Sequence, residues 1–170
     1  MKIDQFLYRG VNEEIHNRGE GLKPHGCSFL TLGGWQEASH RGWSGSGWDT
    51  DKNSAVLNHQ RGVPTAGVST TPFFDRATFY ATHNGKYKKG FIYKIDRTLL
   101  QKFFITEYVV SKFINNPEIP QDGEVILVDE GEYASLPQGI VIETFEIDLS
   151  LNGSSHHSLP QNDHVRTIHP

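Results

Sequence analysis

The chain is short of cysteine, of long apolar runs and of net charge, and each shortage closes off a class of protein. Cys27 is the only cysteine. A single thiol allows no internal disulfide and no cysteine-rich metal site, so Cys27 reads as a packed or idle thiol rather than a nucleophile. No apolar run approaches the ~18 residues of a membrane span, and the opening "MKIDQFLYRG" has no apolar signal region. The expectation is a soluble chain, either whole or the C-terminal part of a larger one. The formal net charge is -4, and the most basic stretch is only "KYKK", Lys86 to Lys89. A wide electrostatic footprint for duplex nucleic acid is therefore not expected, although a single base or nucleotide remains open as a target.

What is present suits one domain. At 170 residues the chain can bury a sizeable core without staples. Glycine is plentiful at 17 residues and aromatics reach 11%, which implies a loop-rich domain with an aromatic core. The domain is expected over 1–150. After Leu151 the composition turns to "NGSSHHSLPQNDHVRTIHP", and 151–170 is expected to be a frayed tail. The four histidines of that tail fit no tetrahedral spacing, so no metal is expected.

Along the chain, "FLYRG" reads as a strand, and the stretch after it as a loop with one helical turn. A Gly-rich segment holds Trp35, Trp43 and Trp48, which suggests a loop that packs on the domain as a cover. "DTDKNSAVLNHQRG" reads as a short helix, with Asp49 or Asp51 as cap and Gly62 as stop. "AGVSTT" is a strand. Thr71 and Pro72 are expected to cap and start a helix that presents Phe73, Ala77, Tyr80 and Ala81 on one face and stops at Asn84-Gly85. "KGFIYKID" alternates as a strand. "RTLLQKFFITEYVVSKFINN" allows a helix, a strand or one of each. "NPEIPQD" is a loop, and "GEVILVD" and "GIVIETFEID" are strands. This order gives an α+β domain with a mainly antiparallel sheet.

Three pieces carry chemistry. Arg9 lies in "LYRG", Ser69-Thr70-Thr71 ends a middle strand, and Glu124 opens a late strand in "PQDGEVIL". In this order they resemble the Arg-Ser-Glu class of mono-ADP-ribosyltransferases, the class of cholera-type and pierisin-type toxins. "RGVNEEIHNRGEGLKPHG" is similar to the stretch after the Arg in enterotoxin-like members, and "LNHQRGVPTAGVSTTPFFDRATFYA" to the block that leads into Ser-Thr-Thr and its helix. "GFIYKID" and "GEVIL" resemble the strands that follow. The likeness spans roughly Phe6 to Glu146, with the middle block its most specific part.

The resemblance implies two mainly antiparallel sheets around an NAD+ cleft with flanking helices. It implies a transferase of the pentosyl class that moves ADP-ribose from NAD+ to an acceptor and releases nicotinamide. Such a reaction passes through an oxocarbenium-like state, which a fixed carboxylate stabilises. Glu124 is expected to accept a hydrogen bond from the 2′-hydroxyl of the ribose, with Ser69 orienting it. Arg9 is expected to donate to diphosphate or ribose oxygens, and bare Gly10 to let the nicotinamide amide approach. Ser69 and Thr71 should share one strand face, with Thr70 on the other; Ser69 and Thr70 are both candidates to contact NAD+, although Thr70 also reads as a structural residue. Phe91, Tyr80 and Phe113 are candidates to stack on nicotinamide, each of them also a plausible core residue.

One position departs from the pattern. Where many members carry Glu or Gln two residues before the catalytic Glu, this chain has Asp122, with Gln121 before it. Asp122 is the candidate base toward the acceptor, at shorter reach, and Gln121 the alternative if the loop kinks at Gly123. The acceptor therefore stays open: a protein side chain, a nucleic-acid base or nucleotide, or water, the last making an NAD+ glycohydrolase. An inactive binding module is the remaining alternative. The resemblance also implies a toxin or effector, secreted or delivered to act in a target-cell cytosol, and a cognate immunity protein or hydrolase as a further partner.

Overall fold

The computed structural model describes residues 4–24, 30–31, 34–35, 52–63, 65–129, 135–152 and 165–168. Cys27, Trp43, Trp48, Asp49, Asp51 and the tail histidines lie outside the described residues, as does the side chain of Trp35.

Two antiparallel sheets form the body. The larger has the order β1 (Phe6–Asn12), β5 (Lys89–Asp96), β8 (Val141–Asp148) and β9 (Val165–Ile168). The second has the order β4 (Val68–Thr70), β7 (Val125–Asp129) and β6 (Ile105–Val109). A short ladder of β2 (Leu30–Thr31) and β3 (Gly34–Trp35) stands apart. The helices are α1 (Glu13–Asn17), α2 (Lys52–Gln60), α3 (Phe74–Thr82) and α4 (Arg97–Leu100). The mixed α/β architecture with antiparallel sheets agrees with the expected class. The ambiguous segment after Asp96 resolves into one of each: α4, a turn of 3-10 helix, then β6. No helix among the described residues is long and apolar enough to cross a membrane.

Strand periodicity explains the layers. Phe91, Tyr93 and Ile95 of β5 face a core shared with Val68, Val125 and Leu127 of the second sheet. The residues between them point to the opposite face of the sheet. Ile92 packs under α3 with Ala77 and Ala81, while Ile126 and Val128 pack with Val56 of α2. Both sheets are thus covered on two faces, and β7 reads as a continuous apolar run because it has no wet side.

Among the described residues, one backbone bridge joins the two sheets. Tyr8 and Thr71 exchange two backbone hydrogen bonds, at 2.7 and 3.0 Å. This bridge delays the helix that follows. Thr71 is committed to the ladder, so α3 starts at Phe74 rather than Pro72, with Phe73 at the N-cap and no side-chain cap. The Thr71 hydroxyl instead accepts from the Phe73 N–H and donates to the Asp122 carbonyl. The expected helix face also narrows. Ala77 and Ala81 are fully buried, but Phe73 and Tyr80 are 47% and 40% exposed. The backbone explains this. A Cβ on Gly10 would stand 1.9 Å from the Ala77 carbonyl oxygen, and one on Gly90 2.4 Å from that of Ala81. The helix lies so close to β1 and β5 that only small residues fit between them.

The expected frayed tail is interrupted by order. Val165–Ile168 pairs with Thr144–Ile147 as an edge strand, and Val165 packs beside the Ala77–Ile92 cluster.

Candidate active site

A cleft of about 420 Å³ opens where the sheets meet. Arg9, Gly10 and Asn12 of β1, His59 and Gln60 of α2, Ser69 to Thr71, Tyr80 of α3, Asp122 and Glu124 are among its lining residues. Its size falls within the range of small-molecule sites. A wider, more open groove at the start of β1 is lined by Asp4, Arg97, Phe104 and Glu107. There Arg97 and Glu107 pair with each other at 2.7 and 2.9 Å, which leaves less to receive a charged ligand.

Arg9, Ser69 and Glu124 converge on the 420 Å³ cleft from three elements. Arg9 comes from β1 and is buried. Its Nε donates to the Gly21 carbonyl at 3.0 Å, and its Nη1 to the Ser69 carbonyl at 2.9 Å. The guanidinium therefore fastens the β4 end to the chain after α1. Burial lowers its pKa to about 10, against the pull of Tyr93 and Glu124, so it stays charged at neutral pH.

Glu124 precedes β7, and its carbonyl accepts from the Val110 N–H. Its side chain is largely buried. Gln60 Nε2 donates to Oε2, His59 Nε2 lies 3.6 Å from Oε1, and the Ser69 hydroxyl lies 2.8 Å from that same Nε2. Burial pushes the carboxyl up, but the polar groups of His59, Ser69 and Gln60 around it outweigh that, and the pKa falls below the usual value. Glu124 is thus an ionised group held by donors, next to open space.

His59 and Gln60 were not singled out in the sequence, where "LNHQRG" reads only as a helix end. No periodicity marks them. Their placement follows from Gly62, whose φ of +77° closes α2. Gly62 N–H bonds the His59 carbonyl and Val63 N–H the Asn58 carbonyl, the two bonds of a Schellman stop. The chain turns back at once into β4, and the last turn of α2 is left beside Ser69.

Asp122 lines the cleft with its carboxylate already engaged by α3. It is buried, Arg76 Nε donates to its Oδ1 at 2.6 Å, and the Tyr80 hydroxyl donates to its Oδ2. Partial burial and then the Asp122 carboxylate push the Tyr80 phenol up to about 12. Gly123 does kink the loop, with φ +55°, but Gln121 ends up exposed and outside the cleft lining.

The remaining candidates divide. Tyr80 lines the cleft. Phe91 does not: it is buried between the sheets and stacks on His16 at 3.6 Å. Phe113 packs against Tyr108 on the α2 side of the second sheet. Thr70 is buried and donates to the Val125 carbonyl, a bond within the sheet. Gly10 lines the cleft, but the space its missing Cβ frees is filled by α3. Among the described residues no group of three or more His, Cys, Asp or Glu could hold a metal ion.

No protein-family model matches the chain, and no curated protein matches it significantly.

Proposed function

We propose that the chain is a mono-ADP-ribosyltransferase with the fold of that class, cleaving NAD+ in this cleft. The observation that carries the reading is the convergence of Ser69 and buried Arg9 on an ionised Glu124 from three separate elements. Gln60 and His59, which reach that carboxylate, come from the last turn of α2, a helix anchored by buried Val56, and such preorganisation is what a charge-developing step needs.

In the reaction the bond between C1′ and the nicotinamide nitrogen breaks, and nicotinamide leaves with the bonding pair. Glu124 accepts a hydrogen bond from the ribose 2′-hydroxyl and steadies the cation. A lone pair of the acceptor forms the new bond at C1′, and the acceptor's proton is lost to water. Arg9 holds the Ser69 backbone in place, and its remaining positive field favours the diphosphate.

Hydrolysis is the second reading. It is favoured by Asp122, whose two oxygens are both engaged and which offers no free base to a bulky acceptor. In both readings nicotinamide is released. The test incubates the protein with NAD+ labelled in the ADP-ribose part, with and without cell lysate, and sorts the label. Transfer puts label on protein or nucleic acid, and hydrolysis gives free ADP-ribose. Glu124→Gln should cut nicotinamide release at least about 100-fold, or ~2.7 kcal/mol. Wild-type protein that releases no nicotinamide under any of these conditions would overturn the reading.

A further inference from the structure

We propose that His16 and Tyr93 form a proton-sensitive latch behind Arg9, which keeps the guanidinium seated near neutral pH and releases it in mild acid. The consequence for turnover rests on the reading of the cleft as an NAD+ site, whereas the latch itself does not.

The latch is built across β1, β5 and α1. Arg9 and Tyr93 are direct cross-strand partners, and strand period puts both on the face that also carries Leu7, Val11 and Phe91. Tyr93 lies against the Gly21 backbone, where a Cβ would stand 2.3 Å from its ring and 2.5 Å from its hydroxyl oxygen. Gly21 is the residue whose carbonyl accepts from Arg9 Nε at 3.0 Å. From α1, the His16 ring stacks on Phe91 at 3.6 Å and 9° and sets Nδ1 2.7 Å from the Tyr93 hydroxyl. One line of contacts thus runs from His16 through Tyr93 and Gly21 to Arg9, and from Arg9 Nη1 to the Ser69 carbonyl.

The direction of the hydroxyl bond follows from charge. Burial pushes the Tyr93 phenol above its ordinary value of 10.0, against the pull of Arg9, so it keeps its proton. The Arg9 cation attracts the phenol oxygen and repels that proton, which turns to His16. Nδ1 is therefore the acceptor, and the ring proton sits on Nε2. Burial also holds the ring below its ordinary 6.5, against the pull of Glu146 on β8, so His16 is uncharged at neutral pH. Glu146 is shared with Lys89 of β5 at 3.7 Å. On α1 itself Glu14 is taken by Arg18 at 3.0 Å, and Arg18 also holds Glu20 at 2.9 Å. A protonated ring has no lone pair for the phenol. Tyr93 then stands between two cations with no acceptor at Nδ1, and its seat against Gly21 loosens. The folded ring has the lower pKa, so the unfolded chain binds this proton more readily. The latch is whole above pH 6.5 and fails as the pH falls through the folded value.

The test uses the full chain. Asn at 16 puts an acceptor oxygen near the Nδ1 position and does not titrate, and Tyr93→Phe keeps the ring while removing the hydroxyl. In nitrogen-15 spectra of the wild type, the Arg9 Nε–H signal should shift with a midpoint below pH 6.5. It is assigned by its loss in Arg9→Lys or, if that variant does not fold, by its Overhauser contact with Gly21. The signal should stay fixed in His16→Asn and in Tyr93→Phe. From about pH 7.5 to about pH 5.5, wild-type kcat/KM for NAD+ should fall at least about fivefold further than that of His16→Asn, with the two within about threefold at the upper end. A fixed signal in the wild type, or one that still moves in Tyr93→Phe, would overturn the latch, and so would matching pH profiles of the wild type and His16→Asn. If the wild type cleaves no NAD+, the function falls instead, and the Arg9 signal alone decides the latch.

Discussion

The two walls of the cleft are built on opposite principles. On the α3 side, Ala77 and Ala81 lie against the backbones of Gly10 and Gly90, and Arg76, Asp122 and Tyr80 tie the helix to the loop before β7. That wall is close packing closed by an ion pair. On the α2 side, Val56 is the fully buried anchor of the helix, and what faces the cleft is a set of hydrogen-bond donors, His59 and Gln60. The difference shows in two carboxylates only two residues apart. Asp122 is ion-paired with Arg76. Among the described residues Glu124 has no ion pair with Arg or Lys, and it lines the cleft beside His59 and Gln60.

The strongest way to break this comparison is to force the packed wall apart. Gly10→Ala puts a Cβ against the Ala77 carbonyl oxygen, which a helix backbone cannot avoid by rotating a side chain. The expected loss is about 3 kcal/mol of stability, read as a lower denaturant midpoint at unchanged slope. If the stability is unchanged, the helix is not as tightly seated as described.

A smaller effect is expected from the ion pair. Asp122→Ala strands Arg76 and Tyr80 and should cost about 2 kcal/mol, since the pair is partly exposed. Because the role is to hold the wall, transfer and hydrolysis should fall together, and Asp122→Asn should recover part of both. A variant that loses transfer alone would return Asp122 to the acceptor's side of the reaction.

The smallest effect sharpens the other wall. The Glu124 pKa is lower in the folded protein than its ordinary value of 4.5. The unfolded state therefore binds the proton more readily. The stabilisation from this group is complete above pH 4.5 and is lost as the pH falls through the lower folded pKa. Unfolding curves of the wild type and Glu124→Gln should converge below that window and keep a constant difference above it. A difference that instead grows from pH 5 to 8 would mean that Glu124 is not the titrating group.

Much of the architecture was legible from local pattern. The alternation of Phe91, Tyr93 and Ile95, the Ser69–Thr71 strand end and the run before Asp129 each state a face or a boundary within a few residues, because strand period is a local property. Glu124 and Arg9 could be proposed as a pair from their resemblance to a known order of motifs. What the chain alone left open was every property that depends on a neighbour distant in sequence. Phe91 and Tyr80 are both aromatic and both plausible stackers. Only the packing buries one against His16 and opens the other to the cleft. Thr71 has the chemistry of a helix cap, and the bridge to Tyr8, 63 positions away, takes it for the sheet junction. Val165–Ile168 sits among tail-like residues and finds order only because β8 presents an unpaired edge to it. His59 and Gln60 carry no signal in "LNHQRG". Their meaning arises when the turn at Gly62 sets that helix end beside a carboxylate 64 residues further on, since a hydrogen bond depends on distance in space and sequence separation does not determine it.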